Sequence, residues 1–101
     1  MALPLYEVNK KIAEARVLSV LLDISYKKKN GEIVRRTVEP YDVKTEHVLD
    51  EYGYIKPVTF LYGYDVSKTV IKEHRHIKRW IINRFLSMRI MHNRSFKPRV
   101  F

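Results

Sequence analysis

Asn30-Gly31 lies between two runs of β-favouring residues, and few dipeptides constrain a chain so tightly. Both residues tolerate positive φ, so the pair predicts a tight hairpin turn. Upstream, Val17 to Lys28 holds Val17, Leu21, Ile24 and Tyr26, and its residues Leu22, Ile24 and Tyr26 alternate with polar neighbours. That alternation predicts a strand with one buried face. Downstream, Glu32 to Val38 predicts the returning strand, with Ile33 or Val34 and then Thr37 or Val38 inward. Pro40 has no amide proton to donate, so the ladder is expected to end there. A chain that begins in this way is committed to an antiparallel sheet.

The flanks add to that commitment. Leu5, Val8, Ile12 and Ala15 recur at helical spacing, with Lys10, Lys11 and Glu14 between them, and predict a helix over residues 5–16. Three turns are marginal alone, so the helix must dock on the sheet. Tyr41 to Val43 reads as a brief third strand, and the acidic, turn-prone stretch from Lys44 to Pro57 as a long loop. Thr59 to Asp65 predicts a strand, within which Gly63 marks a bulge or a close approach by a backbone or ligand. Val66 to Glu73 reads as a connection, Arg75 to Asn83 as a strand and Met88 to Met91 as a last short one. Short antiparallel strands in this number are expected to close as a small barrel, which removes exposed edges. The expected class is mainly β (α+β), a five-stranded antiparallel barrel with an N-terminal helix. One domain fills residues 1–101: helix 5–16, barrel 17–92 and a basic tail 93–101.

Charge placement narrows the partners. Residues 1–65 carry ten Lys/Arg and ten Asp/Glu; residues 66–101 carry ten Lys/Arg and only Glu73. The whole formal excess of +9 therefore lies in the last third. Such a field favours anionic partners, nucleic acid first, with an acidic protein or a membrane surface behind it. Cysteine is absent, which removes disulfides, thiolate metal sites and a cysteine nucleophile, and fits a cytoplasmic chain. The first residues do not read as a signal peptide. No apolar run approaches the roughly 18 residues that span a bilayer, and no basic-faced amphipathic helix suggests attachment to one.

Arg36-Thr37-Val38-Glu39-Pro40, Thr59-Phe60-Leu61, Trp80-Ile81-Ile82-Asn83-Arg84 and Phe96-Lys97-Pro98-Arg99, in this order, together resemble the WYL domain, a small Sm-like or SH3-like barrel of bacterial and phage proteins. The resemblance covers roughly residues 6–101. Arg36-Thr37-Val38-Glu39-Pro40 looks like the family's Arg-x-Val-x-Pro element, and the signature tripeptide falls on Thr59-Phe60-Leu61. Trp80-Ile81-Ile82-Asn83-Arg84 is similar to the later Phe-Arg-Leu-Asp-Arg block, and Phe96, Pro98 and Arg99 to its closing motif. Only Leu61 of the tripeptide survives; Ile81 stands where the block has its first Arg, and Asn83 where it has an acid. The resemblance implies a regulatory ligand-binding module, with single-stranded DNA or RNA or a charged nucleotide as ligand. It also implies parent-protein partners of the kind WYL domains accompany: helix-turn-helix regulators, helicases or CRISPR effectors. No helix-turn-helix is legible in this chain.

Arg36 and Arg84 are the first candidates for phosphate contacts, because a guanidinium is a planar fork that stays charged when half-buried. The competing role is a structural ion pair, with Glu39 or Asp65 as partner. Lys78, Arg79 and Arg75 come next. Strand alternation puts Lys78 and Arg84 on the face of Trp80 and Ile82, which are expected in the core, and sends Arg79 the other way. Phe60, Tyr62 and Tyr64 share a face; Phe60 is expected in the core, while Tyr62 and Tyr64 are either core or a platform for base stacking. His74 and His76 lack a third ligand nearby, so no metal or other cofactor is expected. Ser25, Ser67 and Ser87 lie in no nucleophile motif, and three glycines are too few for a phosphate loop, so binding rather than catalysis is expected. The alternative is a protein-interaction module whose basic surface dimerises or docks on an acidic protein.

Overall fold

The computed structural model describes residues 2–100; Met1 and Phe101, the two ends of the expected domain, lie outside the described residues. In chain order it holds α1 (Leu5–Leu18), β1 (Val20–Lys27), β2 (Ile33–Leu49), β3 (Ile55–Asp65), β4 (Ile77–Ile81) and β5 (Phe85–Ser95). Single 3-10 turns occupy Lys72–His74 and Ile82–Arg84. The strands form one antiparallel sheet in the order β4-β3-β2-β1-β5. The fold is mainly β with one N-terminal helix, and the ladder does not close between its edges β4 and β5. Among the described residues no helix is long and apolar enough to cross a membrane.

α1 starts at Pro4, whose φ of −57° suits helix entry and whose carbonyl accepts from the Val8 amide at 3.1 Å. It ends at Ser19, the sole non-glycine residue with positive φ among those described. Val17 and Leu18 belong to its last turn rather than to the first strand. Val8, Ile12 and Ala15 are fully buried, as their spacing predicts, but Leu5 is half exposed.

The hairpin at Asn30-Gly31 forms with a different turn from the one expected. Only Gly31 has positive φ; the Asn30 side chain instead accepts from the Glu32 amide at 2.9 Å. The Gly31 amide donates to Lys28 and the Lys28 amide to Glu32, a type I turn closed by a left-handed glycine. The same construction recurs where a long loop was expected. Gly53, also at positive φ, donates to Asp50, and the Asp50 amide donates to Tyr54, so residues 44–57 are strand, tight turn and strand. Asp50 Oδ1 accepts from both the Tyr52 and Tyr54 amides.

Pro40 does not end its strand, and Tyr41 to Val43 is no separate one. The pairing of β2 with β3 slips between Pro40↔Gly63 and Asp42↔Tyr62, leaving Tyr41 as an extra residue. A bulge is one of the few sheet positions that tolerates a residue without an amide proton. β1 pairs with β2 only as far as Val38, and β4 with β3 only from Phe60 to Tyr64. Beyond those limits β2 and β3 continue as a two-stranded ribbon.

The expected strand Arg75–Asn83 is cut to Ile77–Ile81 by the 3-10 turn, and β5 extends well beyond Met88–Met91. The core gathers Val8, Ile12 and Ala15 of α1, Val20, Leu22 and Ile24 of β1, and Val38, Leu61, Trp80, Ile82, Phe85 and Met88. Burying each large apolar side chain stabilises by about 1.5–3 kcal/mol. Trp80 and Ile82 lie in the core as expected. Phe60 is buried too, but on the opposite face of β3 from Leu61, outside this cluster.

Gly63 answers the question its position raised. A Cβ there would lie 2.9 Å from the Glu39 carbonyl oxygen and 3.3 Å from Trp80 Cζ3, so the approach is by the protein's own backbone and tryptophan. Gly63→Ala should lower stability by about 1–3 kcal/mol in urea unfolding. An unchanged midpoint would show that β2 moves aside without cost.

Candidate nucleic-acid interface

The seven candidate residues fall into three groups. Arg36, Lys78 and Arg75 gather at the end of β3 around Asp65, which has no exposed surface. Arg36 Nε lies 3.3 Å and Lys78 Nζ 3.6 Å from Asp65 Oδ2, while Oδ1 accepts from the Ser67 amide at 3.0 Å and its hydroxyl at 2.6 Å. Oδ2 accepts no hydrogen bond among the described residues. Arg75 donates to the Val66 and Ser67 carbonyls at 3.4 and 3.3 Å. Of the ion-pair partners considered for Arg36, Asp65 is the one it meets. A wholly buried carboxylate needs such cations, so the three basic side chains hold the chain as it leaves β3.

The second group lies on the outer face of β3. Phe60, Tyr62 and Tyr64 line up there, each with a cation over its ring: Arg79 at 4.4 Å, Lys44 at 5.3 Å and Arg99 at 4.1 Å. Glu46 on β2 ties part of this row together, accepting from Arg79 at 2.6 Å and from the Tyr62 hydroxyl. The bond to Glu46, followed by burial, raises the Tyr62 pKa. Arg79 does point away from the core, as alternation predicts, yet it is engaged rather than merely solvated.

Arg84 stands apart. The 3-10 turn interrupts alternation after Ile81, so strand counting no longer fixes the face of Arg84, which lines one cleft together with Ile82. It lines three adjoining clefts of about 350, 350 and 450 Å³. Their other basic residues are Lys27, Lys28, Lys29, Lys56 and Arg79, and Val58, Phe60 and Ile81 form much of the largest cleft's apolar lining. Asp50 and Glu51 sit at one rim. Arg84, Lys27, Lys29 and Lys56 make no side-chain hydrogen bond or ion pair among the described residues. Lys27 to Lys29 are not among the sequence candidates, although three consecutive lysines beside a turn are the available signal.

A further charged group involves residues not considered as candidates. Asp23 on β1 is nearly buried between Arg35 on β2, which forks it at 3.1 and 2.6 Å, and Arg89 on β5 at 3.2 Å. The Arg35 hydrogen bond, outweighing burial and helped by Arg89, holds the Asp23 carboxyl below the usual carboxylate range. Among the described residues no three His, Asp or Glu side chains come together as a metal site.

Two expectations follow. Arg36→Ala should cost about 1–3 kcal/mol, because it strips a buried carboxylate of a partner, whereas Arg84→Ala should stay within about 0.5 kcal/mol. Equal urea midpoints would remove the distinction between them. Since Asp23 has its pKa lowered in the folded state, its stabilisation is complete above the unfolded value of about 3.9 and drains away as pH falls through the folded one. Asp23→Asn should therefore flatten the acid limb of stability against pH below about pH 4; an unaltered limb would assign acid sensitivity elsewhere.

Comparison with protein-family models, curated proteins and solved structures finds no match to this chain.

Proposed function

We propose that the protein is a regulatory or accessory binding module of the WYL type, acting in the cytoplasm. Its ligand is single-stranded nucleic acid or a negatively charged nucleotide, held in the groove around Arg84. The observation that carries this reading is a guanidinium with no counter-ion among the described residues, placed where three clefts meet among Lys27, Lys28, Lys29 and Lys56. Cations so placed track successive phosphates, and half-buried Val58 and Ile81 offer an apolar wall for base faces. Tyr62 and Tyr64 extend the same strand face, and a base stacking on them displaces Lys44 or Arg99. Arg36, Lys78 and Arg75 support the fold behind this surface. The module binds rather than catalyses.

An Sm-like barrel is the fold proposed with it. The order β4-β3-β2-β1-β5, with one 3-10 turn between the two edge strands, favours a sheet curled until those edges approach. The Ile81 amide donating to the Tyr26 hydroxyl at 3.4 Å bridges the end of β4 to β1 and supports that curl.

A second reading, protein interaction or dimerisation, is favoured by the exposed Leu49, Tyr52, Tyr54 and Ile55 at the ribbon tip. Fluorescence anisotropy with labelled single-stranded and duplex oligonucleotides, titrated with salt, separates the two. The nucleic-acid reading expects single strands to bind better, with log K falling by about 0.7 per decade of salt for each phosphate contacted. Arg84→Ala should weaken binding several-fold and make the slope shallower by about 0.7. Equal binding to both forms, indifferent to Arg84→Ala, would sink the groove and leave the protein-partner reading.

A further inference from the structure

Glu39 is the least expected charge on the surface of this sheet. Its side chain is only 6% exposed, yet it reaches no lysine or arginine from the strands around it. Its partner comes from the chain beyond β5. Arg99 forks it, with Nε 2.8 Å from Oε1 and Nη2 3.2 Å from Oε2, while the Tyr41 hydroxyl donates to Oε1 at 2.6 Å. The guanidinium lies at 4.1 Å from the Tyr64 ring centroid, and the Arg99 amide donates to the Tyr41 hydroxyl at 3.0 Å. Burial and the bond to Glu39 push the Tyr41 pKa up to about 12, so its proton stays on the oxygen that completes the site.

A carboxylate fork, an aromatic face and a backbone contact through a hydroxyl together recognise a planar cation. The segment that supplies the cation is held in the way a bound peptide is held. Residues 96–100 belong to no strand. The Phe96 amide donates to Ser19, the Phe96 ring meets Tyr41 edge-on at 5.7 Å, and Arg99 fills the slot. Lys97, Pro98 and Val100 are exposed. Alongside runs a largely apolar groove of about 470 Å³ between the end of α1 and the tail, lined by Ala13, Val17, Pro40, Tyr41, Phe96 and Pro98.

We infer that Glu39, Tyr41 and Tyr64 form a guanidinium-binding slot, closed in cis by Arg99, which takes an arginine-bearing peptide segment in trans when the tail lifts. The buried carboxylate fixes the charge of the occupant, the ring and fork select arginine over lysine, and the surface of Ala13, Val17, Pro40 and Tyr41 that the tail vacates accommodates apolar residues beside it. This site lies apart from the Arg84 groove, shares only Tyr64 with the proposed stacking surface, and does not rest on the nucleic-acid reading.

The test uses the full chain carrying Arg99→Ala and a labelled peptide, Ser-Phe-Lys-Pro-Arg-Val-Phe, which repeats residues 95–101. Anisotropy should show saturable binding, about tenfold weaker when lysine replaces the peptide's arginine and about tenfold weaker when Glu39→Gln is added to the protein. The unaltered chain should bind the peptide less well than Arg99→Ala, because its tethered arginine competes at high effective concentration. If Arg99→Ala alone fails to fold, adding the arginine peptide should restore its far-UV circular dichroism and the lysine peptide should not. Absent binding without such rescue, or binding indifferent to both the lysine exchange and Glu39→Gln, would overturn the slot.

Discussion

The arrangement of both faces of the sheet depends on one extra residue in β2. Val38, opposite Leu22, faces the core; past the slip at Tyr41 the inward position passes to Val43. Without the slip, this strand of seventeen residues would turn Val43 away from the core. The bulge also accommodates Pro40, and Gly63 opposite it leaves room for the Glu39 carbonyl and the Trp80 ring. Proline, bulge and glycine are one device. It lets a single long strand serve first as the middle of a sheet and then as half of a free ribbon.

Electrostatics follows from that geometry rather than from the linear order of charges. The basic last third folds back onto acids of the neutral first part: Arg89 onto Asp23, Arg99 onto Glu39, Arg79 onto Glu46 and Lys78 onto Asp65. These pairs differ in worth. Those on Asp65 and Glu39 satisfy carboxylates almost removed from water, where an unpartnered charge is costly. Those between exposed groups contribute little. Among the described cations that meet no carboxylate, Lys27, Lys29, Lys56 and Arg84 gather around one set of clefts, so the surplus that defines the molecule's field lies partly on residues outside the basic third.

Local features were legible in the sequence. The helical spacing of Val8, Ile12 and Ala15, the hairpin at Gly31 and the inward Trp80 all depend on short-range periodicity or turn chemistry. The ribbon is hard to read because charged and turn-forming residues are scattered through 44–57 and mask the alternation, although Asp50 and Gly53 carry the turn. Counting alternate residues does not place Arg84, because the backbone coils at Ile82–Arg84 and the strand period ends there. Arg36 was weighed between phosphate and ion pair, and no local pattern decides between them. Asp65 comes beside it only through the pairing of β2 with β3, twenty-nine residues away in sequence. The slot at Glu39 was invisible for the same reason, since its parts come from β2, β3 and the tail.

The ribbon beyond Val38 and Phe60 has a dynamic consequence. Two strands with no third neighbour are marginal in water, and this pair carries exposed Leu49 and Ile55 where a core would otherwise bury them. Its amides depend on one ladder and two glycine-closed turn bonds, whereas those of β1 are shielded by neighbours on both sides. Opening is therefore graded along the chain: the ribbon can fray on its own while the helix-covered half stays closed. Because Val58 and Lys56 belong to both the ribbon and the wall beside Arg84, each such excursion also reshapes that cleft, making its width a fluctuating quantity.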